Sequence, residues 1–343
     1  MKGFEQKSYL SLKAASYNVR INPFRRTEVS CQLQGIDSSM KWPVIAHEEV
    51  LVKRKPAEPV IHQPLVREVD IPIKTMPGRY MLGWRHGLIE EVAKARDVGV
   101  NSIMLYPKVP DTLKSPIGEE AFNDNGLVQR TVGLLKDRFP DLVIYTDVNF
   151  DEYSSSGHGG IIGEDGVILN DETIHQLRKQ AVSQARAGAD VVCTSEMLDG
   201  RVGAVRAALD AKGIQVHCMA VFAKCNWTRK RKTTIVFIIN PANSREALME
   251  AREDEAEGAD ILMVKPALPS LDIIRLLKDQ TLLPIGACQV SGEYSMIKAA
   301  GLLKMIDEEK VMMESLICLR RAGADLILTY FALQAATILC GEN

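Results

Sequence analysis

A short motif of one glycine, one or two small or polar residues and a run of apolar residues occurs four times along the chain. Its copies lie at residues 99–106, 188–193, 258–264 and 323–328, and each follows a charged stretch with helical periodicity. Glycine can adopt the left-handed conformation that ends a helix, and a continuous apolar run is typical of a strand buried on both faces. The motif therefore predicts four helix-to-strand junctions.

Three further apolar runs lie between these copies, at residues 142–150, 216–223 and 283–290. Helical stretches separate the strands, for example at 171–187, 244–257 and 307–321. Strict alternation of strands and helices predicts parallel strands covered by helices, which is the α/β class. The length of the alternating region and the lack of a glycine-rich dinucleotide turn favour a (β/α)8 TIM barrel over an open sheet.

The N-terminal part of the chain differs from this pattern. Residues 1–27 contain six basic residues and one acid with scattered serines, which suits a transit peptide, although a flexible basic tail has the same composition. Residues 28–75 show no sustained periodicity, so we expect an N-terminal arm or linker. The barrel, and with it the catalytic domain, is expected to occupy residues 76–343.

Composition limits the partners of the protein. The chain has 343 residues, of which 46% are hydrophobic and 25% charged, with a net charge of -2 and a pI near 6.3. This balance gives no electrostatic footprint for nucleic acid or for an anionic membrane, and no apolar run is long enough to cross a bilayer. The seven cysteines include no C-x-x-C pair, so neither a disulfide framework nor a zinc finger is indicated. We expect a small-molecule partner.

Candidate functional residues follow the predicted strands, because the chemistry of a TIM barrel takes place at the carboxyl ends of its strands. Polar side chains at or after these ends are Asp147, Ser195, Glu196, Lys224, Lys265, Ser291 and Tyr330. Two of them are lysines on successive strands. Burial and a second ammonium nearby both favour the neutral amine that attacks a carbonyl and forms a Schiff base. A single such lysine is more often a surface or ion-paired residue, whereas two together indicate amine–carbonyl chemistry.

Several motifs resemble porphobilinogen synthase, also called 5-aminolevulinate dehydratase. They lie at residues 170–173, 197–204, 263–269 and 289–299, and segments 83–87 and 124–126 resemble the plant branch in particular. The likeness covers residues 76–341. It implies a hydro-lyase that condenses two molecules of 5-aminolevulinate to the pyrrole of heme and chlorophyll biosynthesis. A location in the chloroplast stroma follows from the plant resemblance, with the cytoplasm as the alternative.

The resemblance also implies roles for individual residues. Lys265 matches the Schiff-base lysine of one substrate, and Ser291 and Tyr330 match the hydroxyls that bind its carboxylate. Lys224 matches the second Schiff-base lysine and Asp147 an acid at the floor of the active site.

Family resemblance extends to metal and assembly. Glu250 matches a carboxylate associated with an allosteric magnesium ion. The family forms large homo-oligomers joined by N-terminal arms, so a homo-octamer is expected.

The first departure from the family pattern follows Lys224, where relatives have a longer lid with an arginine that binds the second substrate. Here the lid is shorter than in the family by about ten residues, and the segment 225–232 that replaces it is basic. Arg229, Lys230 or Arg231 would attract a carboxylate there, with Arg229 as the named candidate, and the alternative is a solvated charge run.

The second departure lies in the metal segment. Zinc-type relatives have cysteines at positions 149, 151 and 159, and plant-type relatives have aspartates at 151 and 159. This chain has Asn149, Asp151 and Gly159, which leaves too few ligands for a catalytic zinc ion. His158 alone is more typical of a loop hydrogen bond than of a ligand.

Further departures concern the barrel itself. Glu196 replaces an aspartate, and Cys288 replaces a tyrosine. The first barrel strand of the family is not recognisable in residues 59–72. If residues 60–69 do not form it, the barrel has an open edge.

Two interpretations from different classes remain. The chain is either a working or weakened magnesium-type porphobilinogen synthase, or an inactive relative that acts as a partner or regulatory subunit of an active one. A class I aldolase would explain the lysines but not the agreement of the long motifs.

Overall fold

The chain folds into a closed barrel of eight parallel strands. The computed structural model describes the backbone of residues 44–51, and residues 70–223 and 242–341. The strands are β1 (Val44–Leu51), β2 (Ile71–Pro72), β3 (Tyr80–Met81), β4 (Ser102–Lys108), β5 (Val143–Val148), β6 (Val191–Thr194), β7 (His217–Ala223), β8 (Ile261–Lys265), β9 (Ile285–Cys288) and β10 (Leu326–Thr329). All except β2 and β3, which pair as a small antiparallel hairpin, belong to the barrel.

Helices cover the outside of the barrel. They are α1 (Gly87–Asp97), α2 (Leu127–Arg138), α3 (Asn170–Arg186), α4 (Arg201–Asp210), α5 (Ser244–Ala256), α6 (Leu271–Gln280), α7 (Ser291–Leu302), α8 (Glu308–Ala322) and α9 (Ala332–Cys340). The predicted TIM barrel is confirmed, and each of the seven predicted apolar runs contains or overlaps a barrel strand.

The eighth strand is β1, which lies between β10 and β4 and pairs with both in parallel. Val44 aligns with Ile327 on one side, and Ala46 aligns with Ile103 on the other. The first strand was not recognisable in residues 59–72 because it comes from earlier in the chain. The barrel sheet therefore begins before residue 76, inside the predicted arm, and its edge is closed.

The motif glycines end the helices as predicted. Gly99, Gly188, Gly258 and Gly323 have φ values of 83°, 112°, 98° and 122°. Side chains other than glycine rarely adopt this conformation, so each glycine lets the chain turn from a covering helix into the next strand.

The aspartates of the same motif join neighbouring strands, which periodicity did not predict. Asp190, Asp260 and Asp325 each accept a hydrogen bond from a backbone N–H at the start of the preceding barrel strand, and each pairs with a cation from a covering helix. The N–H donors are Ile144, Cys218 and Ile285, at 2.7, 2.8 and 2.9 Å, and the cations are Lys136, Arg206 and Lys278. These links fix the amino-terminal end of the barrel, opposite the end that carries chemistry in this fold.

The barrel interior is packed with side chains. Its buried cluster includes Met104, Tyr145, Cys193, Met263, Cys288 and Leu328. A second, larger layer packs between the sheet and the helices, around residues such as Leu177, Leu262 and Leu319. The interior is therefore filled below the carboxyl ends of the strands, and only the mouth is available for a ligand.

Candidate active site

Asp147 and Lys265 point into the mouth of the barrel. Side chains alternate along a strand, and Tyr145 and Met263, two residues earlier on the same strands, belong to the interior cluster. Asp147 is buried near the end of β5, with 3% of its surface exposed, and Lys265 is the half-buried last residue of β8. The strand-end argument therefore brings these two predicted residues together.

The carboxylate of Asp147 is held by two side chains. The hydroxyl group of Ser195 donates a hydrogen bond to one oxygen, and the side-chain amide of Asn149 donates a hydrogen bond to the other. The backbone carbonyl of Asp147 accepts bonds of 3.2 Å from the amides of Gln180 and Gln184 on α3. Both the side chain and the backbone of this acid are thus fixed in place.

The pKa of Asp147 is shifted by its surroundings. Burial raises it from 3.8 to about 6, against the opposing effects of the positive charge of Lys265 and the hydrogen bond from Ser195. A carboxyl group with this pKa can both accept and donate a proton near neutral pH.

Lys265 lies close enough to Asp147, Cys193 and Cys288 for its charge to lower the pKa of each of these groups. Within the described part of the chain, no hydrogen bond or ion pair engages its amine. The next peptide bond, to Pro266, is cis. Lys265 thus presents an amine to the barrel mouth beside a carboxyl group.

Ser291 and Tyr330 lie beside helix α7. Ser291 is half-buried and is the first residue of that helix, where backbone N–H groups favour an anion. Tyr330 follows β10, and its buried ring lies 5.7 Å from the ring of Tyr294, three residues after Ser291 on the same helix. Positions three apart share a helix face, so the two predicted hydroxyls belong to one region.

Glu293 links the lysine to the serine, and the sequence analysis missed it. Its fully buried carboxylate accepts hydrogen bonds from the backbone N–H groups of Ala267 at 3.2 Å, Leu268 at 2.7 Å and Val290 at 2.7 Å. The first two follow Lys265, and the third precedes Ser291. Only the position of Glu293 in the first turn of a helix could have suggested this, since capping acids are common there.

Tyr106 is a second residue that the sequence analysis missed. It lies near the carboxyl end of β4, and its hydroxyl contacts the sulfur of Met104 at 3.0 Å. Burial raises its pKa well above the usual value, and electrostatic interactions with Cys288 and Asp147 raise it further. The phenol therefore stays protonated in the barrel mouth. Its strand-end position was the available signal.

Glu196 binds the turn that follows β5. One carboxylate oxygen accepts hydrogen bonds from the backbone N–H groups of Phe150 at 2.9 Å and Asp151 at 3.3 Å. Burial raises the pKa of Glu196 well above its usual value, and the nearby charge of Asp151 raises it further. The other oxygen lies against Gly159. Asp151 and Glu196 therefore lie together near Asp147. Glu196 was singled out by its strand-end position, and Asp151 by the metal segment of the family.

Lys224 and Arg229 lie outside the described residues, so their predicted roles stay predictions. The described part of β7 ends at Ala223, which aligns with Lys265 in the register of β7 and β8. Lys224 therefore follows directly after Ala223, the residue that lies opposite Lys265 on the neighbouring strand.

Glu250 lies away from this site, half-buried on α5. Burial raises its pKa, the guanidinium of Arg201 lowers it, and the carboxylates of Asp199 and Glu246 raise it again. Arg201 is itself buried and forms a two-bond ion pair with Asp254, at 2.9 and 2.8 Å. Among the described residues, no three His, Cys, Asp or Glu side chains come together as a metal site.

Comparison with known proteins assigns the family. The sequence model of delta-aminolevulinic acid dehydratase matches residues 57–338. The chain belongs to the delta-aminolevulinic acid dehydratase family. The predicted resemblance to porphobilinogen synthase is thereby confirmed, and the members of this family are lyases. Strand β1, which closes the barrel, lies before the matched range.

Plant members of the dehydratase family resemble this chain over most of its length. A protein of Arabidopsis thaliana named probable delta-aminolevulinic acid dehydratase 2, chloroplastic, is 72% identical over 100% of this chain and 95% of its own length. The dehydratase of Glycine max, also chloroplastic, is 68% identical over 80% of this chain and 70% of its own length. These names confirm the predicted chloroplast location.

The alignment with the Arabidopsis dehydratase spans 386 positions, more than the 343 residues of this chain can fill. The chain therefore lacks residues that this relative has.

A solved dehydratase has the same fold. The crystal structure of the enzyme of Toxoplasma gondii, in complex with the reaction product porphobilinogen, is 40% identical to this chain, with a TM-score of 0.78 over 86% of this chain and 84% of its own. In the described ranges, no helix is both long enough and apolar enough to cross a membrane.

Proposed function

We propose that this family member condenses two molecules of 5-aminolevulinate to porphobilinogen, with release of two water molecules. The observation that carries the proposal is the amine of Lys265 at the barrel mouth, facing the buried carboxyl of Asp147 and close to the region of Ser291 and Tyr330. An amine attacks a ketone, a neighbouring carboxyl moves protons, and a hydroxyl-bearing helix start holds a carboxylate. These are the groups that 5-aminolevulinate needs.

The first step forms an imine at Lys265. The amine nitrogen bonds to the ketone carbon of one substrate, and the resulting hydroxyl group leaves as water once it has accepted a proton. Asp147, with a pKa of about 6, is the group that takes a proton from the nitrogen and returns it to the departing oxygen. Ser291 and the phenol of Tyr330 hold the substrate carboxylate during this step.

The second substrate is activated by Lys224 in the same way. Formation of one carbon–carbon and one carbon–nitrogen bond between the two substrates then closes the ring, and both lysines are released as free amines. Two ketone oxygens leave as two waters, which balances the reaction. Arg229 is the candidate partner of the second carboxylate.

Magnesium is proposed as a modulating ion at Glu250. The residue fits a cation because the acids Asp199, Glu246 and Glu253 lie close enough to interact with it electrostatically. The nearby cation Arg201 is already paired with Asp254. Magnesium keeps several waters and needs only one or two protein carboxylates. Bound there, the ion would neutralise the carboxylates of α5, and no step at Lys265 requires it. A catalytic zinc ion is not part of the proposal.

Assembly into a homo-octamer is proposed from the family. Large apolar side chains at the end of α7 and in the turn that follows it, Leu302, Leu303 and Met305, are 66%, 67% and 75% exposed. Burial of such side chains between subunits would favour an oligomer. Light scattering of the purified chain measures the mass directly.

Borohydride trapping tests the function. We expect reduction in the presence of 5-aminolevulinate to leave a covalent adduct on Lys265, and we expect the untreated protein to form porphobilinogen. Lys265→Met should abolish both. Lys310→Met is the matched control, because the Lys310 side chain is 84% exposed on α8 and pairs only with Asp307 among the described acids.

Outcomes of this experiment separate the two interpretations. An adduct together with product establishes the synthase. An adduct at Lys265 without product would favour the inactive partner subunit, for which the comparisons give no support. Absence of any adduct on Lys265 would refute the proposed role of this lysine.

A further inference from the structure

The carboxylate of Glu196 occupies the space in which a side chain at position 159 would lie. A Cβ atom built on Gly159 would be 3.0 Å from the Cδ of Glu196, 3.2 Å from Oε1 and closer still to Oε2. Atoms cannot approach a Cβ so closely, so a side chain at 159 and the present position of Glu196 exclude each other.

Backbone conformation does not explain this glycine. The described glycines with positive φ include Gly157 and Gly166, but Gly159 is not among them. The φ angle of residue 159 therefore does not require glycine. What requires glycine there is the space taken by Glu196.

Glu196 and its neighbour Ser195 together hold the turn after β5. Ser195 binds the Asp147 carboxylate, and Glu196 binds the N–H groups of Phe150 and Asp151. The acid that faces Lys265 and the turn that follows it are thus fixed by two consecutive residues of the next strand end. Displacement of the Glu196 carboxylate would release one of these two attachments.

We propose that Glu196 is a positioning residue for the Asp147 turn and that Gly159 is required because it makes room for the Glu196 carboxylate. The effect on catalysis rests on the proposed function, whereas the coupling between the two positions does not. An alanine at 159 pushes the carboxylate away from the Phe150 and Asp151 N–H groups, and Asp147 then loses its fixed position relative to Lys265.

A double-mutant cycle tests the coupling. Misplacement of a catalytic group by about 1 Å can cost about 100-fold in rate, so we expect Gly159→Ala alone to lower kcat at least about ten-fold. In a protein that already carries Glu196→Ala, the same substitution should lower kcat less than about two-fold, because nothing is left to displace. Gly133→Ala is the matched control, since among the described residues no atom outside the adjacent backbone of its own helix lies within 4 Å of a Cβ at that position.

Variants at position 196 separate positioning from proton transfer. Glu196→Gln keeps the length of the side chain and the oxygen that accepts the two N–H bonds, so it should retain at least about ten-fold more kcat than Glu196→Ala, with KM changed little. Glu196→Asp is too short to reach Phe150 and should resemble Glu196→Ala. If Gln and Ala lose activity equally, Glu196 acts as an acid or base, and the positioning role is refuted.

The urea midpoint of unfolding of the same four proteins, wild type, both single variants and the double variant, measures the coupling without activity. A wild-type chain that makes no porphobilinogen would refute the proposed function but leave this cycle readable. Additive effects of Gly159→Ala and Glu196→Ala on both kcat and the urea midpoint would refute the coupling itself.

Discussion

Replacement of Asp147 by asparagine should make the protein more stable and less active, and the gain in stability should depend on pH. The carboxyl is 3% exposed and its pKa is raised from 3.8 to about 6, so its ionised form is less stable in the folded protein than in the unfolded chain. Asparagine has nearly the same shape and no charge. Asn149, whose Oδ1 is buried without a partner in the described structure, can turn its amide to accept from the new side chain.

The size of the effect follows from the pKa difference. A shift of about 2 units corresponds to about 3 kcal/mol of destabilisation by the ionised carboxyl. Since the folded-state pKa is the higher one, the folded protein binds more protons between pH 4 and pH 6, and stability falls as pH rises through that window. The full destabilisation by the Asp147 carboxyl is present above about pH 7, about half of it at pH 5, and little of it below pH 4.

Urea unfolding at one protein concentration, followed by circular dichroism at pH 5 and at pH 8, measures the effect. We expect Asp147→Asn to raise the free energy of unfolding by about 3 kcal/mol at pH 8 and by roughly 1 to 2 kcal/mol at pH 5, while kcat falls by about 100-fold or more because the proton carrier is lost. An equal change at both pH values, or a loss of stability at pH 8, would show that the burial argument is wrong.

Three other substitutions test separate parts of the structure. Glu293→Gln should lower kcat/KM at least about ten-fold in a porphobilinogen assay. Both carboxylate oxygens of Glu293 accept backbone N–H bonds, so the NH2 group of the glutamine would face one of these donors. An unchanged kcat/KM would refute the link between Lys265 and Ser291. Gly323→Ala should lower the melting temperature through about 1 to 3 kcal/mol of strain. The effect should exceed that of Gly166→Ala, since Gly166 also has positive φ but no described atom lies within 4 Å of a Cβ there. Asp254→Asn should cost about 3 to 5 kcal/mol in urea unfolding, because it leaves the buried guanidinium of Arg201 without a counter-charge, and wild-type stability would contradict this.

Much of the barrel could be predicted from the sequence because strands such as β5, β6 and β9 are buried on both faces. The predicted helix at 307–321 is found at Glu308–Ala322, and the predicted strand at 283–290 contains Ile285–Cys288. Strand β1 escaped prediction because its sequence, which includes His47, Glu48 and Glu49, has no continuous apolar run. Its place in the sheet depends on pairing with β4 and β10, which no local pattern records.

The candidate site was predictable in part for a similar reason. Side chains at strand ends, such as Asp147 and Lys265, meet because the fold brings all strand ends together. Glu293 acts by accepting hydrogen bonds from backbone N–H groups. Gly159 acts by leaving room for the carboxylate of Glu196. Their effects depend on segments far apart in sequence, so residue type and spacing could not reveal them. The same holds for the aspartates that link β5 to β6, β7 to β8 and β9 to β10.

Closure of the barrel by β1 has a consequence for biosynthesis. The strand aligns with β10 at three positions, from Val44 to Ala46 opposite Ile327 to Thr329. Among the described strands, β10 is the last to be synthesised. A nascent or truncated chain that ends before residue 326 therefore exposes two unpaired strand edges, those of β1 and β9, to other proteins. The seam between β1 and β10 must wait for synthesis of residues 326–329, so chaperones that shield exposed edges should matter most until β10 has left the ribosome.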